Sequence, residues 1–183
     1  MTVRDCAGGL KRGRAHARAI ILLIFSFAYI TISNTGCYSF TGASVPAHLK
    51  TVAIPLVDDQ SNFGEAGIRE QFTTALTNLF ISDNTLEVAD RTHADAMLEG
   101  AIVSITDAPS VVGQGEQVSK RRITMSAKFA FQNMKLRKKV WEKTFSNWGD
   151  YDSGGGLSQR QAGLEEAMKK ITEDILLETV SGW

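Results

Sequence analysis

Apolar and polar residues alternate most cleanly between positions 118 and 132. Ile123, Met125, Ala127, Phe129 and Phe131 take one side, and Arg122, Thr124, Ser126, Lys128 and Gln132 the other. That period of two is the mark of a half-buried strand. Asn133 to Lys139 turns the chain and Val140 to Trp148 returns as a second strand, so a hairpin is predicted. Ala96 to Thr106 is apolar on both sides, with Met97, Ala101, Val103 and Ile105 on one and Leu98 and Ile102 on the other. Such a segment suits the centre of a sheet. Asp107 to Gln117 holds Pro109, Gly113 and Gly115 and reads as a loop. Leu49 to Val57 is the first strand, in which Pro55 has no N–H to donate and marks a strand end, an edge or a bulge. Leu86 to Val88 is a short strand after the turn at Ser82 to Asn84.

Two segments change to the helical period. After a polar turn from Asp58 to Gly64, Asn62 and Glu65 have the spacing of an N-cap and its partner. The helix then runs to about Ile81, with Ile68, Phe72, Ala75, Leu76 and Leu79 on one side. Gly149 to Leu157, with three consecutive glycines, is a loop, and Ser158 with Gln161 forms a capping box for the last helix. Leu164, Met168, Ile171 and Ile175 line that helix's apolar face. Two one-sided helices need one partner layer, and the sheet supplies it. The predicted fold is α+β, a two-layer sandwich with both helices on one face of a four- to five-stranded mixed sheet. The other face, with its Lys, Thr, Ser and Gln, meets water or a partner.

The first thirty-six residues follow neither period. Arg4, Lys11, Arg12, Arg14 and Arg18 stand against one acid, Asp5, and Ala19 to Ile32 is a fourteen-residue run without charge. A basic segment followed by an apolar one of this length is the secretory-signal pattern; a spanning helix takes about twenty apolar residues. An uncleaved N-terminal anchor is the alternative. Gly36-Cys37 resembles the end of a bacterial lipobox, with Asn34 where Leu is usual. Cleavage before Cys37 leaves an acylated cysteine, and two or more acyl chains hold a protein firmly on a bilayer. The expected organisation is a removed leader over 1–36, a lipidated tether over 37–48 and a folded domain over 49–183.

Composition then narrows the chemistry. The 147 residues from Cys37 onward carry a net charge of −4 and no second cysteine, which excludes a disulfide within the domain. They show no overall basic excess that would point to nucleic acid. His48 and His93 are far apart and read as solvated. The glycine run lacks the Lys-Ser/Thr pair of a phosphate loop. Asp58-Asp59 and Asp150 with Asp152 are explained by turns. No catalytic residue, metal site or cofactor is expected. One feature departs from this background: Glu116 to Lys143 holds nine bases and two acids, a net of +7. These residues are either solvated positions on a hairpin or a local surface for an anionic partner. Trp141 and Trp148 flank the run, as core or as interface anchors.

Cys37 to Gly42, then Leu49 to Leu56 ("LKTVAIPL"), resembles the opening of mature LptE-type lipopolysaccharide-assembly lipoproteins. So do Leu86 to Asp90 ("LEVAD"), Ala94 to Ser104 ("ADAMLEGAIVS") and Trp148-Gly149-Asp150-Tyr151. The resemblance implies a non-enzymatic outer-membrane lipoprotein on the periplasmic face. It would plug and partner the LptD β-barrel and help deliver lipopolysaccharide to the outer leaflet. By the same resemblance, Cys37 is the lipidation site, and lipopolysaccharide contact falls to basic hairpin residues, chiefly Lys120, Arg121, Arg122, Arg137, Lys138 and Lys139. The alternative is an outer-membrane lipoprotein of another assembly system, such as a curli-type secretion pore or a cell-wall-synthase activator.

Overall fold

The computed structural model describes residues 45–112 and 118–181. Cys37, the leader and the tether up to Ser44 lie outside the described residues. The period-two segments form the three long strands: β4 (Ala96–Val112), β5 (Val118–Asn133) and β6 (Lys138–Asp152). Five short or helical elements precede or follow them. These are β1 (Thr51–Ala53), β2 (Asp58–Asp59), α1 (Ile68–Asp83) and β3 (Glu87–Val88) before β4, and α2 (Gly156–Ser181) after β6. The sheet runs β3-β1-β4-β5-β6, with β2 also paired to β4, making six strands. β1, β2 and β3 join in parallel, while β4, β5 and β6 form antiparallel hairpins. The sheet is therefore mixed, and both helices lie on one of its faces, as the two amphipathic periods require.

The predicted first strand is split. β1 and β2 both pair with β4, and Pro55 falls between them, so the missing N–H interrupts one edge rather than ending it. Asp58 and Asp59, expected in a turn, are consequently strand residues. β4 continues six residues past its predicted end, and Pro109 sits opposite Arg121 inside it. That placement is tolerated because β2 stops at Asp59, leaving Pro109's outer side without a ladder partner among the described residues. The register also shifts between Pro109 and Val111. A second shift between Ile102 and Ser104 makes Val103 an extra residue. Alternation slips by one at such a bulge, so Ile105 joins Leu98 and Ile102 in the core instead of facing away from them.

Gly100 is required by its neighbour across the hairpin: a Cβ there would stand 2.6 Å from the ring of Phe129. Phe129 in turn stacks on Phe72 at 5.7 Å, which fixes α1 to the sheet. α2 lies on β6 at a second close approach, where a Cβ on Gly149 would come within 2.0 Å of the Gly163 carbonyl oxygen. β6 thus extends through Gly149, which had been assigned to a loop, and runs on to Asp152.

The predicted caps are replaced. α1 is preceded by Gly67 at φ 75° and has no side-chain cap, because Asn62 turns the chain at φ 56° and Glu65 is taken by Arg160. α2 begins two residues before Ser158, whose hydroxyl bonds to the Gly155 carbonyl instead of capping. The buried faces match the helical spacing, with Ile68, Phe72 and Leu76 in α1 and Leu164, Met168, Ile171 and Ile175 in α2. Phe80 completes the α1 face.

Candidate functional site

The six basic residues singled out by sequence occupy the two ends of one ribbon. Lys120, Arg121 and Arg122 pair across β6 with Asp152, Tyr151 and Asp150. Arg137 closes the β5–β6 turn, and Lys138 and Lys139 open β6. Twelve residues of β5 separate Arg121 from Asn133, about 40 Å of strand. The structure therefore makes two sets of three, not one patch.

At the far end from the turn, Arg121 points to the helix side. Its Nε donates to Asp107 Oδ1 at 2.8 Å and to the Tyr151 hydroxyl at 3.0 Å. The Tyr151 hydroxyl donates to the other oxygen of Asp107 at 2.6 Å. Arg160 of α2 stands 3.6 Å from the same oxygen, pairs with Glu65 at 2.8 Å and covers the ring of Phe63. Burial, and then its bond to Asp107, pushes the Tyr151 phenol above its usual pKa and keeps it a donor. Arg121 thus closes a polar network over one end of the core. Arg122, on the open face, makes two bonds to Asp150, at 2.7 and 2.9 Å. Its guanidinium also lies 4.9 Å from the centre of the Trp148 ring, with Lys170 on that ring at 5.8 Å. Trp148 is 44% exposed, whereas Trp141 is buried beside Phe131 and Phe145. Sequence left both tryptophans open between core and interface; the structure divides them.

The turn end is built differently. Asn133 is buried; its amide meets His48 Nε2 at 2.8 Å, and its oxygen accepts from the Leu136 N–H at 2.9 Å. Lys135 donates to the His48 carbonyl and pairs with Asp95. Asp95 also accepts from the N–H of Lys50 at 2.8 Å. Lys135 first, and then that N–H, hold the Asp95 carboxyl at about 2, below its ordinary value. His48 is therefore part of the turn's scaffold, not simply solvated. Lys139 shares Glu142 with Lys128. Arg137 and Lys138 have no ion-pair partner among the described residues, and Lys120 has none at the other end.

Two concavities accompany these ends. One of about 400 Å³ on the uncovered sheet face is lined by Asp58, Glu99, Lys128 and Glu142. One of about 730 Å³ runs between the helices over Ala75, Leu79, Met168 and Thr172. Among the described residues no cluster of three or more metal-binding side chains occurs. Asp58 pairs with Arg69, and Asp150 with Arg122. Asp107, Tyr151 and Arg160 were missed by sequence reasoning. They converge from three elements, and no local spacing announces them.

A helix-backed sheet whose polar chemistry sits at its charged ends defines a small α+β domain. The family model for LptE, lipopolysaccharide assembly, matches residues 49–179, and the chain belongs to that family. It is a family of non-catalytic lipoproteins. No curated protein matches the chain significantly. Among solved structures, a Xanthomonas campestris protein is similar at TM-score 0.57 and 14% identity, covering 75% of this chain and 89% of its own. A hypothetical protein of Chlamydia trachomatis is similar at TM-score 0.55 and 8% identity, covering 71% and 95%. PelC of Paraburkholderia phytofirmans, solved as a dodecamer, is similar at TM-score 0.52 and 13% identity, covering 76% and 93%. At such identities the likeness is one of fold.

Proposed function

We propose that this chain is the lipoprotein subunit of a lipopolysaccharide-assembly complex. It is anchored through acylated Cys37 on the periplasmic face of the outer membrane and is seated in an LptD-like β-barrel as plug and partner. The family match over 49–179 carries the reading. The fold supports it: a rigid two-layer body with its reactive groups tied into ion pairs suits a plug better than a catalyst.

The separation of the basic residues sharpens the ligand side. Two sets about 40 Å apart along a strand do not hold the phosphates of one lipid together. We assign lipopolysaccharide to Lys120 and Arg122 on the open face, while Arg121 on the helix side holds that end of the fold together. There an exposed Trp148 ring lies among Arg122 and Lys170, an aromatic face with cations around it. Such a surface fits a phosphorylated glycolipid.

The test is a crosslinked pull-down of the membrane-bound protein, with mass spectrometry of its partners and of its N-terminal peptide. An LptD-like barrel and an acylated Cys37 terminus are expected. An acylated terminus with a ring of identical chains, and no barrel, would move the protein to another export system. Lipopolysaccharide binding that survives Lys120→Glu with Arg122→Glu would sink the ligand assignment.

A further inference from the structure

The β5–β6 turn is stabilised from beneath and presents an apolar side chain outward. Buried Asn133 fixes the turn through His48 and the Leu136 N–H. Met134 and Leu136 nevertheless face solvent, Leu136 at 65% exposure. Neither belongs to the core cluster. Arg137 and Lys138 follow directly, both exposed and without an ion-pair partner among the described residues. The nearby acids are already engaged: Asp95 by Lys135, and Glu142 by Lys128 and Lys139. Asp90 and Arg91 on the turn before β4 offset one another in charge. The tip is thus a net cationic loop around one protruding leucine.

The chain enters the fold at the same place. His48 is bonded to Asn133 and Lys135, and Val45 packs against the core. Cys37 is eight residues before Val45, a reach of at most about 28 Å. Of the ribbon's two ends, the turn is the one beside which the described chain begins.

We infer that the Met134–Lys138 turn is a second membrane contact, inserting Leu136 among the acyl chains of the leaflet that holds the anchor while Arg137 and Lys138 meet anionic phospholipid headgroups. This rests on the proposed acylation of Cys37. An exposed leucine beside two unpaired cations is a small version of the apolar-plus-basic pairing by which peripheral proteins hold anionic surfaces. A second point of contact also orients the body against the leaflet.

The test uses the full chain in cells with Leu136→benzoylphenylalanine, illumination, and mass spectrometry of the adduct and of the N-terminal peptide. The same probe at Leu157, 82% exposed at the start of α2, is the control. A phospholipid adduct at 136 and not at 157 is expected. Adding Arg137→Glu with Lys138→Glu should lower its yield about tenfold with an unchanged unfolding midpoint. With Cys37 acylated, an adduct to lipopolysaccharide, an adduct to protein, or no adduct at 136 overturns the inference and leaves the anchor standing. An unacylated Cys37 removes the premise and overturns both.

Discussion

The two ends of the β5–β6 ribbon carry similar numbers of basic residues and opposite electrostatics. Away from the turn, Arg121 and Arg122 each meet a carboxylate, and Arg160 joins the same network from α2. At the turn, Arg137 and Lys138 meet none among the described residues and flank an exposed leucine. The run of bases gives no hint of this difference, because the compensating acids come from elsewhere: Asp107 from β4, Asp150 from β6, Glu65 from before α1. A cation count along a strand measures valence; the field depends on what the other strands bring to it. At one end the arginines are tied to carboxylates and only Lys120 is left over, whereas at the other Arg137 and Lys138 are both without an ion pair among the described residues.

The largest effect should come from removing the shared acceptor. Asp107→Ala leaves Arg121 without a carboxylate and the Tyr151 hydroxyl without its acceptor in a partly buried gap, and is expected to cost about 3 kcal/mol in urea unfolding. Arg137→Glu with Lys138→Glu should move the same measurement by less than about 0.5 kcal/mol. Equal losses from the two variants would erase the distinction between the ends.

Asp95, like Glu142, is a strongly placed acid at the turn end. It accepts from the backbone of Lys50 and pairs with Lys135, and Asp95→Ala is expected to cost about 2 kcal/mol. Its pH dependence has a definite sign. The folded carboxyl titrates at about 2, below the ordinary 3.8, so its contribution is complete above the unfolded value. It disappears as pH falls through the folded one. The urea midpoint should therefore decline between about pH 4 and pH 2, and decline less steeply in Asp95→Asn. A parallel decline in the variant would show that the carboxylate at 95 is not responsible.

Much of this architecture was legible in the sequence. The one-sided helices and the alternation through Phe129 and Phe131 depend on local periods, and both survive in the structure. What failed did so for non-local reasons. Val103 has no residue type that announces a bulge, yet it moves Ile105 to the opposite face. Pro109 and Gly149 read as breakers because their neighbours were unseen. One lies on an unpaired edge, and the other lets α2 approach β6. The caps failed likewise, since Glu65 is claimed by Arg160, 95 residues away. Among the site residues, the sequence found the cations but neither their partners nor their separation into two ends.

Arg122 tests whether the paired end is only structural. Its side chain is 40% exposed and that of Asp150 37%, so Arg122→Ala should cost the fold little through the ion pair and the Trp148 contact together. A double-mutant cycle with Asp150→Ala should recover about half of that as coupling. Lipopolysaccharide binding should fall more than stability does. If stability falls and binding does not, the far end has no ligand role.

The smallest effect is the most specific to the turn. Arg137 holds φ 52°, a left-handed conformation that costs a residue with a Cβ roughly 1–2 kcal/mol and glycine nearly nothing. Hairpin turns ordinarily place Gly or Asn at such a position. Arg137→Gly relieves that strain but adds freedom to the unfolded chain, so the net change should be a gain of under about 1 kcal/mol. The same variant removes one of the two unpaired cations and should weaken the proposed membrane contact while leaving the Lys120–Arg122 end untouched. A protein that is more stable yet holds its leaflet less well would identify Arg137 as a residue kept at the expense of the fold. A protein that is less stable would mean that Arg137 makes a structural contact within the fold, and that the turn is not free.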